Sequence, residues 1–225
     1  MFKVAPILLA LLYGVVYYRF SVWRTSAELN SKSTELADPT LRAMCASMAE
    51  VLELEQVRVH IYEIEPVNGL AAPDGRIFIT RGFFKKYVTG EVSAKEIASV
   101  IAHELGHVAL GHSRRRLIDF SGQNAIRVAL GLVLGRIIPG VGVWLAGFLS
   151  RLLAARLSRQ DEYEADAYAA ALLIKTGIGI EAQKTLFEKL EALVDSSGQP
   201  LAWLMSHPKT ADRIAAIEKL EKRWK

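Results

Sequence analysis

Residues 103–107 read His-Glu-Leu-Gly-His, a spacing that can hold a metal ion on one face of a helix. Side chains four residues apart lie one turn apart on the same face, so the imidazoles of His103 and His107 can bind one ion together. Glu104, next to the first histidine, can reach water at that ion without binding the ion itself. This HExxH arrangement, with the glutamate as general base, is typical of zinc-dependent peptide hydrolysis.

A catalytic zinc usually has three protein ligands and one open position, so a third His, Asp or Glu is needed. His112 lies nine residues after His103, which turns it about 180° away on the same helix. We expect it to face solvent at the helix end. Glu162 and Asp166 are better candidates because they are four residues apart and share a helical face. One of them can bind the metal while the other accepts the second N–H of a ligand histidine.

The elements that carry these motifs are predicted to be mostly helices. Ser93 and Glu96 form a capping box that opens the helix bearing the histidines, and Gly111 can end that helix. Short runs rich in β-branched residues predict strands at 57–65 and 76–80, with a short extended piece at 68–72. The other predicted helices span 38–54, about 159–175, 181–194 and 209–224. This order predicts an α+β fold that is mostly helical, with a small β-sheet.

The N-terminal segment is apolar, since residues 4–18 carry no charge. Extended to Trp23, the segment is long enough to cross a bilayer, with Arg19 snorkelling to the interface. A cleaved signal peptide is the alternative, but no small-x-small cleavage site follows the run. We therefore predict an N-terminal membrane-anchor helix over residues 1–24 and a metallopeptidase domain over residues 25–225, which opens on a polar linker at 25–37.

A second apolar segment, residues 125–157, separates the two metal-binding motifs. Arg127 and Arg136 interrupt it, and its uninterrupted stretch of about 14 residues is below a normal membrane span. The segment reads best as an amphipathic hairpin that lies on the membrane surface or covers the site as a lid. A membrane-inserted hairpin and a soluble pair of core helices are the alternatives.

Composition limits the classes of protein to consider. Hydrophobic residues make up 51% of the 225 residues and charged residues 23%, which excludes a disordered chain. The net charge of +4 is too small and scattered to indicate nucleic acid binding, but it permits contact with anionic lipid. The single cysteine, Cys45, cannot form an internal disulfide and is predicted to be a buried structural thiol.

Three motifs together resemble one known family. HELGH at 103–107, DEYEAD at 161–166 and HPKTADRI at 207–214 look like the HtpX and CAAX prenyl-protease-like family of gluzincin zinc metallopeptidases. Residues 68–82 resemble the upstream edge-strand region of that family, and the resemblance covers about residues 38–220. The chain differs in having Gly69 where alanine is common and in lacking the several long membrane spans of the CAAX proteases.

The resemblance implies a gluzincin-type peptidase domain with one Zn²⁺ per chain and a role for several residues. It implies that Glu162 is the third metal ligand and that Asp166 and Arg213 support the ligands. His207 is then expected to line the site and to contact the oxygen of the scissile carbonyl. The residues expected to hold the substrate backbone by strand addition are Asn68, Gly69, Leu70 and Ala71.

The predicted function is that of a membrane-associated zinc metalloendopeptidase in protein quality control. Its expected partners are polypeptide substrates, including misfolded or membrane proteins, together with membrane lipid and no nucleic acid. The expected location is a bacterial inner membrane. The short leader with Lys3 and the uncleaved run favour a periplasmic catalytic domain, whereas Arg19, Arg24 and Lys32 after the run favour the cytoplasmic side by the positive-inside rule. A non-catalytic chaperone or scaffold with a vestigial zinc site is the alternative, and Glu104 argues against it. A purely structural zinc site would need a closed set of four Cys or His ligands, which the sequence lacks.

Overall fold

The computed structural model describes residues 5–72, 74–112, 142–197, 203, 207 and 210–224. These residues form helices α1 (Ala5–Ser31), α2 (Pro39–Val51), α3 (Arg81–Val88), α4 (Ala94–Ala109), α5 (Gly142–Lys175), α6 (Glu181–Ser197) and α7 (Thr210–Trp224). The strands are β1 (Ser33–Glu35), β2 (Val59–Tyr62), β3 (Gly69–Ala71) and β4 (Ile77–Thr80). The prediction of a mostly helical protein with a small sheet is therefore confirmed.

The N-terminal helix α1 runs without interruption from Ala5 to Ser31, and β1 begins two residues later. The predicted polar linker at 25–37 is therefore wrong, because its first residues continue the helix and its later ones pair in the sheet. No helix within the described part of the chain combines the length and the apolar character needed to cross a membrane. The predicted anchor over residues 1–24 is not confirmed.

The four strands form one sheet in the order β1-β2-β4-β3. The central pair, β2 and β4, is parallel, and the two outer strands are antiparallel to their neighbours. Strand β3 pairs with β4, with Gly69 opposite Ile79. The sheet order makes β3 the last strand on its side of the described sheet. This position presents a backbone edge beside the helix that carries the HExxH motif.

The main core lies between one face of the sheet and helices α2 and α4. Its members include the buried Ile61, Ile77 and Ile79 of the strands and Ile97 and Ile101 of α4. The start of α2 agrees with its sequence, because Asp38 caps the helix through a hydrogen bond from the Leu41 N–H, with proline at the first helical position. Cys45 is buried in this core, and burial raises the pKa of its thiol to about 12.

Helix α4 has the predicted capping box. Ser93 Oγ accepts from the Glu96 N–H, and a Glu96 carboxylate oxygen accepts from the Ser93 N–H at 2.7 Å. Every residue from Glu96 to His107 is buried, so the motif sits inside the protein. The prediction that His112 faces solvent is wrong, because its side chain is fully buried. The helix ends at Ala109 and Gly111 takes a φ of +71°, so helical geometry does not extend to His112.

The chain forms two compact units, one of Met1–Glu28 and His112–Gln160, the other of Leu29–Gly111 and Asp161–Lys225. The second unit contains the sheet and all the candidate site residues. Helix α5 starts at Gly142, well before the predicted start near 159, so residues 142–157 of the expected hairpin belong to one long helix. Residues 125–141 lie outside the described residues, so the surface hairpin or lid stays a prediction, with the inserted hairpin and the soluble pair of core helices as its alternatives.

Candidate active site

Helix α4 places its two motif histidines side by side in the interior. The Nε2 atoms of His103 and His107 are 3.1 Å apart, and the rings meet edge to face. Both side chains are almost completely buried, as is Glu104 between them in sequence. The i, i+4 spacing therefore aims two ring nitrogens at one point, as the sequence predicts.

Glu162 on α5 faces this pair of histidines. One carboxylate oxygen, Oε2, lies 3.4 Å from His103 Nε2, and the other, Oε1, lies 3.4 Å from His107 Nε2. The two helices can approach closely because Gly106 has no side chain. A Cβ at Gly106 would lie 3.0 Å from both the Cα and the carbonyl oxygen of Ala165. The glycine in the motif thus sets the distance between the helices that carry His103 and Glu162.

Asp166, one turn further along α5, approaches the opposite edge of the His103 ring. Its Oδ1 is 2.9 Å from His103 Nδ1, while Arg213 on α7 donates from Nε to Oδ2 at 2.6 Å and from Nη2 to Oδ1 at 2.8 Å. Gln183 on α6 donates from Nε2 to Oδ1 at 3.2 Å. Arg213 is fully buried, and its guanidinium lies 4.4 Å from the Phe187 ring centroid.

His207 reaches the same cluster from the segment before α7. Its Nδ1 is 2.5 Å from Glu162 Oε2, and its Nε2 is 3.5 Å from Glu104 Oε1. His207 Nδ1 also lies 3.3 Å from His103 Nε2. The structure therefore brings together the two HExxH histidines, Glu104, Glu162 and His207 in one buried group.

The predicted substrate-binding segment lies at the sheet edge beside α4. The Asn68 N–H donates to Thr80 Oγ1 at 3.0 Å, and the Thr80 N–H donates to the Asn68 carbonyl, also at 3.0 Å. Gly69, Leu70 and Ala71 form β3 itself. Gly69 packs so closely on α4 that a Cβ there would lie 2.7 Å from Val100 Cγ1. All four residues named from the sequence are thus fixed in an extended edge segment.

Comparison with known proteins fits this geometry. The sequence profile of peptidase family M48 matches residues 35–221, which include every residue of the buried group. The chain belongs to peptidase family M48. The first apolar segment lies outside the matched M48 region.

Relatives with curated descriptions are M48-type metalloproteases. The chain is similar to the metalloprotease LoiP of Escherichia coli (strain K12), with 34% identity over 72% of this chain and 62% of LoiP. It is also similar to the mitochondrial metalloendopeptidase OMA1 of Homo sapiens, with 24% identity over 72% of this chain and 32% of OMA1. A protease HtpX homolog of Leptothrix cholodnii is 26% identical over 87% of this chain and 77% of that protein. The chain thus spans less than two thirds of the length of LoiP and OMA1.

The electrostatics of this M48 site suit a metal ion. Burial lowers the pKa of His107 to about 3 and that of His207 to about 4, so both rings are neutral at pH 7 and offer a lone pair. Burial alone lowers the pKa of His103, but hydrogen bonds to Asp166 and Glu162 outweigh it and raise the pKa to about 9, so a metal ion would displace one proton from this ring on binding. Burial opposes ionisation of Glu162, yet hydrogen bonds from the histidines hold the pKa of this carboxyl well below its ordinary value.

The donor set also fits zinc. Ligand atoms of His103, His107, Glu162 and His207 all lie within 4.8 Å of one another. Two imidazole nitrogens and one carboxylate oxygen are the ligand set of a catalytic zinc of the His₂Glu type. Because Asp166 engages the Nδ1 atom of His103, the Nε2 atom is the one that would bind an ion.

Two residues of the site were not identified from the sequence. Gln183 and Trp203 are fully buried and touch Asp166 and His207, respectively. Gln183 belongs to an amphipathic helix in which a glutamine looks like an ordinary surface residue. Trp203 lies four residues before the histidine of the HP motif, and that spacing is a signal that could have indicated it.

Proposed function

We propose that this chain is a zinc-dependent metalloendopeptidase that hydrolyses peptide bonds at the buried group on α4 and α5. The observation that carries the proposal is the convergence of His103, His107 and Glu162, with Glu104 next to the first of them. A general base that is fully buried beside three metal-binding side chains suits hydrolysis, because a site that only binds metal does not need it. Membership of peptidase family M48 supports the same reaction.

His103, His107 and Glu162 would hold the metal. When bound, zinc acidifies water and polarises a carbonyl group. Glu104 accepts a proton from the attacking water and passes it to the nitrogen of the leaving amine. In the tautomer that carries its proton on Nε2, His207 donates a hydrogen bond to the carbonyl oxygen as negative charge develops there. Its Nε2 lies 3.5 Å from the Glu104 carboxylate, so both groups can serve the same peptide bond.

Around this centre, other residues hold the reacting groups in place. Asp166 fixes the tautomer and the orientation of His103, and Arg213 fixes Asp166. The β3 segment, with Asn68 before it, binds the substrate as an additional strand, because it presents the outer edge of the described sheet. Strand addition recognises backbone, so extended or unfolded polypeptides are the expected substrate class, including misfolded and membrane proteins.

The test uses the full-length chain purified in detergent and an unfolded protein such as casein. Glu104→Gln is expected to bind about one zinc per chain, as the parent does, and to lose cleavage by at least about 10³-fold. The matched control is Glu164→Gln, the same change on a half-buried glutamate of α5, which should keep both zinc and cleavage. A parent that binds zinc and protects the unfolded protein without cleaving it would favour the chaperone alternative.

We further propose that α1 associates with the membrane. Four of its apolar side chains are exposed at helical spacing, since Leu12, Val16, Phe20 and Trp23 are all more than half exposed. These residues recur every three or four positions and so lie along one face. An exposed apolar face of this kind is stabilised by lipid rather than by water.

Vesicle flotation tests the membrane proposal. Val16→Glu with Phe20→Glu should reduce flotation with anionic vesicles strongly, while Thr25→Glu with Ala27→Glu should not. Equal flotation of both variants would show that the apolar face of α1 does not bind lipid. In bacterial cells, protease protection of the full-length chain distinguishes a periplasmic from a cytoplasmic catalytic domain at the inner membrane.

A further inference from the structure

We propose that Trp203 is a positioning residue that links the substrate strand β3 to His207. Its indole would then keep the edge that receives the substrate and the His207 ring in one fixed arrangement. The inference rests on the proposed peptidase function, because the distance between β3 and His207 matters for catalysis only if β3 binds the substrate. It assigns no chemistry to Trp203 itself.

The first contact is between Trp203 and His207. Their rings are stacked, with centroids 4.2 Å apart and an angle of 30° between the planes. The backbone N–H of His207 donates to the Trp203 carbonyl at 2.8 Å, so the two residues are also joined through their backbones. The indole also meets the His103 ring at 5.6 Å in an edge-on arrangement. The ring of His207 therefore has one face covered by Trp203.

The second contact is between Trp203 and the substrate strand. The Trp203 N–H donates to the carbonyl of Val67 at 3.1 Å, two residues before β3 begins. A Cβ placed on Gly69 would lie 3.2 Å from Trp203 Cζ3, so the indole fills the space that the glycine leaves. On its far side Trp203 packs against Phe83 at 6.5 Å. The side chain is only 1% exposed and has little freedom to move.

These contacts form a continuous path from the strand to the site. A side chain at position 69 would push on the indole, and the indole cannot move without moving the ring of His207. A shift of about 1 Å at a reacting group can cost a large factor in rate, because catalysis depends on the orientation of the groups. Gly69 and Trp203 are thus a matched small and large pair that sets the distance from β3 to His207.

The experiment compares the full-length variants Trp203→Leu and Trp203→Phe with the parent. Trp203→Leu should lower kcat about 10-fold or more with KM changed less than about 2-fold, because the strand still binds substrate while His207 is misplaced. Trp203→Phe keeps an aromatic face and should recover most of kcat. Zinc content should stay at the level of the parent. Trp224→Leu, which changes the half-exposed tryptophan at the end of α7, is the matched control and should behave as the parent.

A spectroscopic readout separates this inference from the peptidase proposal. The chain has five histidines, so labelling with ¹³C-histidine gives five sets of ring signals, and loss of one set in His207→Asn assigns His207. The indole shifts the ring protons of His207 upfield, so Trp203→Leu should move them downfield and Trp224→Leu should not. The shift of the His207 ring signals is expected even if the parent cleaves no protein. That result would contradict the proposed peptidase function but not the contact between Trp203 and His207.

The strand end of the path is tested through Gly69. Val100→Ala removes the closest neighbour of a new Cβ, which leaves Trp203 as the main obstacle. Gly69→Ala in the Val100→Ala background should therefore shift the His207 ring signals and lower kcat, while Val100→Ala alone should do neither. Unchanged His207 signals in this double variant, or unchanged kcat in zinc-loaded Trp203→Leu, would overturn the inference. Trp203→Phe serves as the test if Trp203→Leu fails to fold. A folded, zinc-loaded Trp203→Phe protein whose kcat falls more than about 10-fold and whose KM also rises would then overturn the inference.

Discussion

Asp166 accepts a hydrogen bond from His103 across 2.9 Å, and this contact joins α5 to the far edge of the metal-binding ring. In the neutral ring, a proton held on Nδ1 leaves the lone pair on Nε2, which is the nitrogen that faces His107 and Glu162. Asp166 is itself held by two hydrogen bonds from Arg213. The orientation of the first ligand therefore depends on a residue of α7, more than a hundred positions away in sequence.

Asp166→Asn should weaken zinc binding by about 10–100-fold and lower cleavage with it. An amide has no charge to stabilise the Nδ1–H of His103 and presents a donor as readily as an acceptor. Zinc affinity is measured by competition with a chelator at neutral pH. Asp212→Asn, on an exposed position of α7, is the control and should bind zinc as the parent does. Equal affinity of the two variants would show that Asp166 does not orient the ligand.

Arg213→Met should destabilise the fold by about 3–5 kcal/mol, because it leaves the Asp166 carboxylate buried without its partner. Burial opposes the charge on Arg213, but Asp166 outweighs burial and keeps the pKa of the guanidinium above its ordinary value. Urea unfolding of the metal-free protein measures the loss. Arg223→Met, at an exposed position of the same helix, should change stability by less than about 0.5 kcal/mol. A small loss at position 213 would mean that the buried pair contributes little.

Glu162→Gln should remove most zinc binding, while Glu164→Gln should leave it intact. The two glutamates are two residues apart on α5, but only Glu162 places its oxygens 3.4 Å from both ligand histidines. A neutral amide oxygen is a weaker ligand for zinc than a carboxylate. Metal content after dialysis against a fixed zinc concentration is the measurement. Zinc retained by the first variant and lost by the second would reverse the assignment of the third ligand.

Glu96 should make the folded state sensitive to acid. Its burial opposes ionisation, but hydrogen bonds from the Ser93 N–H and from Lys189 outweigh burial and hold the pKa of Glu96 below its ordinary value. A depressed folded-state pKa contributes stability that is present above the unfolded value, about 4.3, and is lost as the pH falls through the folded value. We therefore expect part of the loss of stability below about pH 4.3 to come from this group.

Two substitutions of Glu96 separate its charge from its role as a cap. Glu96→Gln keeps an oxygen for the Ser93 N–H and should flatten the pH dependence in that window. Glu96→Ala should in addition cost about 1 kcal/mol at neutral pH through loss of the capping box. Urea midpoints measured from pH 3 to 7 give both results. An identical acid slope in the parent and in Glu96→Gln would exclude Glu96 as its source.

Gly106→Ala should destabilise the protein although alanine favours a helix by about 1 kcal/mol. The new Cβ would lie 3.0 Å from the backbone of Ala165, which cannot rotate out of the way as a side chain can. The helices α4 and α5 must then separate, which also moves Glu162 from the histidines. The midpoint temperature of thermal unfolding and the zinc affinity should both fall, whereas Lys95→Ala on the exposed side of α4 should lower neither. A stabilised Gly106→Ala protein would show that α4 and α5 can accommodate a Cβ at position 106 without moving apart.

Local sequence predicts the parts of this protein that depend on near neighbours in the chain. The capping box of Ser93 and Glu96, the end of α4 near Gly111 and the shared face of His103 and His107 all follow from helical geometry over a few residues. Strand positions near β2 and β4 follow from β-branched alternation. The same local reasoning missed α3, whose N-cap is Thr80 at the end of a strand, because no loop separates the two elements.

The sequence also failed to predict where α1 ends and which path the chain takes after α4. The polar residues after Trp23 look like a linker, but a helix can continue through polar residues, and α1 does so to Ser31. His112 was placed on an ideal extension of α4 that the chain does not follow, because the positive φ of Gly111 redirects it. Helix ends depend on caps and on packing that the apolar pattern alone does not specify.

By itself, the sequence determined that His103 and His107 share one helical face with Glu104 next to the first of them, and it predicts that a carboxylate of 161–166 completes the set. Helical spacing alone leaves Glu162 and Asp166 equivalent, and the family resemblance predicts that Glu162 is the ligand. The tertiary structure supplies the physical reason, because it places the two carboxylates at opposite edges of the His103 ring. Arg213 engages Asp166, and this leaves Glu162 opposite both ring nitrogens. Gln183 and Trp203 join the site for the same reason: their contacts come from distant elements, and such contacts exist only once the chain has packed.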